Sequence, residues 1–130
     1  MKYLKHYWIS TTTGQYLTTT NDGSKRHPES EFHGLDVQVW MHDADGIDVC
    51  LSRTADDKVG ITTVTVDSKT AVRELTETQY NTVKTPLDAS NVLNGEAMTA
   101  EMSGDTSTAT TKRNEATTKY NEAKTALLAL

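Results

Sequence analysis

An α+β chain is predicted by three observations: apolar residues alternate with polar ones before about residue 75, they recur at helical spacing after it, and a helix-capping signature marks the changeover. The expected layout is a pair of N-terminal antiparallel β-hairpins in a small sheet over residues 1–75, then a helical hairpin over 76–130. Together they make one compact domain.

The first hairpin runs through Tyr7 and Ile9, turns at Thr11-Thr12-Thr13-Gly14, and returns through Gln15 and Leu17. Gly14 closes a three-residue loop, so Ile9 is expected opposite Leu17, with Trp8 and Tyr16 on the other side. Residues 21–34 hold turn formers and charges and, among large apolar side chains, only Phe32, which reads as a mobile loop. The second hairpin gives a sharper pattern. Val37, Val39 and Met41 alternate up to Asp43-Ala44-Asp45-Gly46, and Ile47, Val49 and Leu51 alternate after it. A loop of Ala44, Asp45 and Gly46 sets Met41 against Val49, Val39 against Leu51, Trp40 against Cys50 and His42 against Asp48. A slip of one residue would mix the two faces. Further strands are expected at Val59–Val66 and at Ala71–Leu75.

Thr76-Glu77-Thr78-Gln79 is a capping box, with Leu75 and Tyr80 placed as a hydrophobic staple, so a helix should begin at Glu77. Thr85-Pro86-Leu87-Asp88 looks like a second start with proline at the first helical position, which predicts a bend there. Leu87, Val92, Leu93, Ala97 and Ala100 carry this segment. Ser103-Gly104-Asp105 supplies a stop and a new cap. Ala109, Ala116, Tyr120, Ala123, Leu127 and Leu130 then mark the last helix.

The chain has 130 residues, 13 Lys and Arg against 18 Asp and Glu, and a net charge of −5. Leu, Ile, Val and Phe together number 23, so the core is thin. This excludes a large catalytic fold, a membrane span, a collagenous repeat and a disulfide scaffold. No basic cluster exceeds Lys25-Arg26, which argues against nucleic acid. Threonine, with 23 residues, suits strand surfaces. The N-terminal residues lack the apolar stretch of a signal peptide, and a soluble protein made in a cytoplasm is expected. Cys50 is the single cysteine, so no internal disulfide can form.

Few residues suggest chemistry. Asp43, Asp45 and Asp48 surround Gly46, but Ile47 and Thr54 fall where a calcium loop needs oxygen ligands, and an Asp-rich turn explains the cluster. His6, His27, His33, His42 and Cys50 match no closed zinc spacing. His42 and Cys50 would be diagonal on the sheet, without an orienting third group or an oxyanion hole. Cys50 is expected to fill space as a small hydrophobe. No phosphate-cradling loop, nucleophile elbow or zinc-protease motif is present in the sequence. No catalytic residue, metal or cofactor is therefore expected.

The last helix is seamed mostly by alanine, and a buried alanine contributes little beside the roughly 1.5–3 kcal/mol of a buried Leu or Val. Two ways of covering the seam follow: it packs on the chain's own sheet, or other subunits cover it. The apolar Leu127-Leu128-Ala129-Leu130 terminus favours the second.

The run Val37-Gln38-Val39-Trp40-Met41-His42-Asp43-Ala44-Asp45-Gly46-Ile47-Asp48-Val49-Cys50, then Leu75-Thr76-Glu77-Thr78-Gln79-Tyr80-Asn81 and an Ala- and Thr-rich final helix, resembles small proteins of tailed phages, especially marine cyanophages. The Leu-Thr-x-x-Gln-Tyr helix opening is also similar to the helical ends of tail-fibre assembly and tail accessory proteins. The resemblance implies a non-enzymatic virion or assembly role, in capsid decoration or in the tail, with virion proteins or further copies of the chain as partners. Met98, Met102, Tyr120, Leu127 and Leu130 are the contact residues expected of the helical half. An alternative is a soluble adaptor or inhibitor that binds a host protein through an aromatic face near Trp8 and Trp40.

Overall fold

The computed structural model describes residues 1–7, 17–18, 37–44, 48–54, 60–61, 65–66, 69–70 and 72–130. It shows the expected α+β order, a small antiparallel sheet followed by two helices. The strands are β1 (Lys2–Tyr7), β2 (Leu17–Thr18), β3 (Val37–His42), β4 (Asp48–Thr54), β5 (Gly60–Ile61), β6 (Thr65–Val66), β7 (Lys69–Thr70) and β8 (Val72–Leu75). The helices are α1 (Glu77–Met102) and α2 (Thr106–Ala129). The chain divides into two compact units, Met1–Tyr80 and Asn81–Leu130. The first helical turn thus belongs with the sheet: the Tyr80 ring lies 4.8 Å from that of Tyr3.

The main sheet has the order β3-β4-β1-β8. The β3–β4 pairing is the predicted one, with Val39 on Leu51, Trp40 on Cys50, Met41 on Val49 and His42 on Asp48. Gly46 itself lies outside the described residues. β1 occupies the sheet interior, antiparallel to β4 with His6 on Cys50 and to β8 with Tyr3 on Leu75. Such a position leaves no local signature, because it depends on partners about 45 residues away in β4 and 70 in β8. Leu17 pairs with Ile61, in a two-stranded sheet of β2 and β5. Ile9, its expected partner, lies outside the described residues, as does the loop expected over 21–34. The strand expected over Val59–Val66 is represented by β5 and β6, which pair with different partners.

One sheet face carries Tyr3, Lys5, Val39, Met41, Val49, Leu51 and Leu75, and the other carries Leu4, His6, Trp40, Cys50 and Ser52. Sequence alternation predicts one buried face. Both faces of the central strands are buried: Leu51 and Val49 on one side, Leu4, His6, Cys50 and Ser52 on the other. The second face is partly polar, so its groups must satisfy one another.

α1 opens on the predicted capping box: Thr76 N–H donates to Gln79 Oε1 at 2.9 Å and Gln79 N–H to Thr76 Oγ1 at 3.1 Å. The staple residues Leu75 and Tyr80 are both buried. The expected second start at Pro86 is not found, since α1 continues through Pro86 to Met102. An interior proline costs roughly 3 kcal/mol, and the burial of Val83 and Leu87 on either side offsets it. Val92, expected inside, is exposed. α1 ends in a Schellman turn. Asp105 N–H donates to the Ala100 carbonyl at 2.9 Å, Gly104 N–H to that of Glu101 at 3.0 Å, and Gly104 takes φ +84°. Asp105 then caps α2, accepting from Thr108 N–H at 3.0 Å and from its hydroxyl at 2.7 Å.

Threonine is not confined to strand surfaces. Seven threonines lie in α2 alone. Thr110, Thr111, Thr117 and Thr118 donate their hydroxyls to the carbonyls four residues back, the local bond a threonine hydroxyl makes within a helix.

Candidate functional site

Two places gather the residues singled out by sequence: the buried polar cluster of the sheet unit, and the helical hairpin.

In the sheet unit, β1 supplies His6, β4 supplies Cys50 and Ser52, and β3 supplies Trp40. Ser52 Oγ lies 2.9 Å from His6 Nε2 and 3.2 Å from Cys50 Sγ, within hydrogen-bond reach of both. Cys50 also directs its thiol at the Leu51 carbonyl, 3.6 Å away. The Trp40 and His6 rings meet edge to face, with centroids 6.0 Å apart. Pairing of β1 with β4 therefore makes His6, rather than His42, the histidine beside Cys50. His42 instead turns to Asp48, with Nδ1 2.7 Å from Oδ1 at the exposed end of the hairpin.

Burial controls what this trio can do. It pushes the Cys50 thiol up to about 12, and it lowers His6 to about 3. A thiol that stays protonated and an imidazole that stays neutral, both sealed from solvent, do not make a nucleophile and its base. The trio closes a polar patch in the core, and Cys50 fills space as expected. Among the described residues, no group of three or more His, Cys, Asp or Glu is placed to hold a metal ion. Asp43 is buried next to the turn, and Asp45 lies outside the described residues.

The hairpin is organised by small residues seven apart. Ser90 and Ala97 on α1, and Ala109, Ala116 and Ala123 on α2, are all buried. Ser90 Oγ donates to the Ala116 carbonyl at 2.8 Å, which sets the antiparallel register. Seven residues further along each helix, Ala97 comes level with Ala109; seven the other way, Val83 comes level with Ala123. A serine hydroxyl that reaches a backbone carbonyl on the neighbouring helix requires close axes, toward the lower end of the roughly 8–10 Å range. The alanine seam thus faces α1 of the same chain, a neighbour that neither covering expected from sequence includes. Lys112 to Glu96 at 3.1 Å crosses the hairpin close to this register, and an Arg113–Glu101 pair joins the helices nearer the turn.

A sequence signal for this was available. Ala109-Thr110-Thr111-Lys112-Arg113-Asn114-Glu115 is repeated by Ala116-Thr117-Thr118-Lys119-Tyr120-Asn121-Glu122, with a change only at Arg113/Tyr120. A strict seven-residue repeat with alanine in the leading position marks a close helix pair.

The expected contact residues separate. Leu127 is wholly buried and presents nothing to a partner, and Leu130 is half-buried. Met98 and Met102 are 61% and 84% exposed, one turn apart at the end of α1. Tyr120 is exposed but level with Pro86 in the register above, about 18 Å down the hairpin from Met98 at 1.5 Å per residue. Trp40 is exposed on the edge of the sheet unit, and Trp8 lies outside the described residues. The hairpin therefore offers one adjacent apolar pair, Met98 with Met102. No helix of the described residues is long and apolar enough to cross a membrane. No family model, no curated protein and no solved structure matches the chain.

Proposed function

We propose that this chain is a non-enzymatic structural or assembly component that docks on other protein subunits, and that its setting is a phage particle, in capsid decoration or the tail. The observation that carries the docking role is the exposure of Met98 and Met102 on a hairpin whose own seam is already filled. Methionine is flexible and polarisable, and it adapts to an irregular partner surface. The silent state of Cys50 and His6 supports a role without catalysis by that cluster. The phage setting rests on the resemblance of the Val37–Cys50 run and the Leu75–Asn81 helix opening to small phage proteins.

Mass spectrometry of purified particles tests the setting: the protein is expected among their constituents. Met98→Ser with Met102→Ser tests the surface, and should deplete the protein from particles while leaving its melt unchanged. Undiminished incorporation removes the two methionines from the interface. A second reading, a soluble adaptor or inhibitor that binds a host protein, is favoured by the exposed Trp40 ring. It requires the protein to be abundant in infected-cell extract and absent from particles.

A further inference from the structure

We propose that the outer face of α1 pairs with the same face of a second copy of the chain, the two helices running antiparallel about a two-fold axis level with Ala97. The pairing rests on the docking role given above and names its occupant.

Val92, Gly95, Thr99 and Met102 recur at steps of three, four and three, which places them in one stripe opposite the seam that holds Ser90 and Ala97. All four are exposed. Gly95 is the informative member. It lies within the helix, where glycine is a poorer choice than alanine, and a β-carbon there would meet nothing within 4 Å. Its φ is not positive, so neither backbone geometry nor packing in its own chain calls for glycine. What glycine permits at such a place is the close approach of another backbone. Thr99 beside it donates its hydroxyl to the Gly95 carbonyl at 3.1 Å, a bond that survives when the face is covered.

The stripe reads large, small, small, large. Turned end for end about Ala97, it sets Val92 level with the second copy's Met102, and Gly95 level with the second copy's Thr99. A two-fold contact requires this self-matching, and a foreign helix would not. Parallel helices would also match the stripe to itself, but they bring Glu101 and Asp105 beside their own counterparts, at a helix end with no basic residue in its last turn. Antiparallel pairing parts them and opposes the helix dipoles. Charge does not oppose a second copy. Residues 81–130 hold five Lys and Arg against six Asp and Glu, so the hairpin carries only −1 of the chain's −5. Glu96, at the rim of the stripe, is paired with Lys112 at 3.1 Å. Four layers along about 15 Å of helix fall short of the roughly 800 Å² per partner of a stable interface. The pairing is therefore weak and reversible, and it joins hairpins that are already folded.

Sedimentation equilibrium of the full chain, over about a hundredfold range of concentration up to about 1 mM, tests this. The wild type should pass reversibly from monomer to dimer. Gly95→Leu enters each dimer twice, and should weaken association about tenfold or more. Its melt at low concentration should be no lower than that of the wild type, because leucine is the better helix former and has open space there. Val92→Cys and Met102→Cys, made singly and mixed under mild oxidation, read the direction: disulfide dimers joining the two variants should form in preference to dimers of either alone. The native Cys50 is buried, and the wild type measures its background. A chain that stays monomeric at the highest concentration, a Gly95→Leu protein that associates like the wild type, or cysteine variants that link mainly to themselves would each overturn the pairing. Incorporation of the Met98→Ser, Met102→Ser protein into particles is read separately, so failure of this pairing and failure of the docking role are told apart.

Discussion

Ser90 on α1 donates its hydroxyl to the main-chain carbonyl of Ala116 on α2 at 2.8 Å, both residues buried. This bond and the small residues seven positions either side of it hold the helices in one register. Hydrophobic transfer alone would favour an alanine seam weakly. Close approach recovers dispersion contacts between the two backbones that leucines would hold apart.

Ser90→Ala should therefore cost about 1 kcal/mol, the worth of one neutral hydrogen bond whose acceptor keeps a helical partner. Ala116→Leu should cost about 1–3 kcal/mol or more, since a larger side chain cannot enter without parting the helices. Urea unfolding followed by helical circular dichroism separates the two. A neutral Ala116→Leu would mean that the seam is loose.

Gly104 adopts φ +84°, and a β-carbon there would meet nothing within 4 Å. The cost of Gly104→Ala is then one of backbone conformation alone, about 1–2 kcal/mol. Gly104→Asn should recover part of it, because asparagine tolerates the left-handed region. Equal stability of all three proteins in thermal melts would show that the turn does not need this geometry.

Asp105 makes the start of α2 sensitive to acid. Hydrogen bonds from the Thr108 backbone and hydroxyl hold its carboxyl below the ordinary 3.8. Its contribution is present above 3.8, and is lost as pH falls past that value and through the lower folded one. Asp105→Asn keeps an acceptor but no charge. The wild type should melt higher than Asp105→Asn at pH 6, and the gap should close near pH 2. A gap that does not change with pH would refute a charged cap.

Cys50 should resist iodoacetamide in the native protein at pH 8 and react fully in denaturant, since burial pushes the thiol up to about 12. Mass spectrometry of the alkylated protein reads this directly. Rapid native labelling would mean that the polar cluster is open to solvent.

The features legible in sequence were those encoded within one or two turns of chain. Alternation around Asp43–Gly46 gave the β3–β4 register to the residue, and Thr76 with Gln79 gave the start of α1. Features that depend on distant partners were not legible. β1 owes its interior place to strands far along the chain, so no local pattern sets His6 beside Cys50 and Ser52. Pro86 has the local appearance of a helix start, and it lies mid-helix because flanking Val83 and Leu87 are buried. The threonines of α2 read as strand formers until their hydroxyls are seen on the helix's own carbonyls. Leu127 has the sequence appearance of an interface residue because nothing local announces that the alanine seam packs on α1.

A hairpin sealed by its own small-residue seam folds without help, and docking then uses only what it leaves exposed. Amide exchange of residues 106–129, followed in the isolated chain over about a hundredfold range of concentration, measures this most directly. Protection that is strong and independent of concentration is expected. Protection that appears only as the protein is concentrated would show that α2 is completed by other subunits instead.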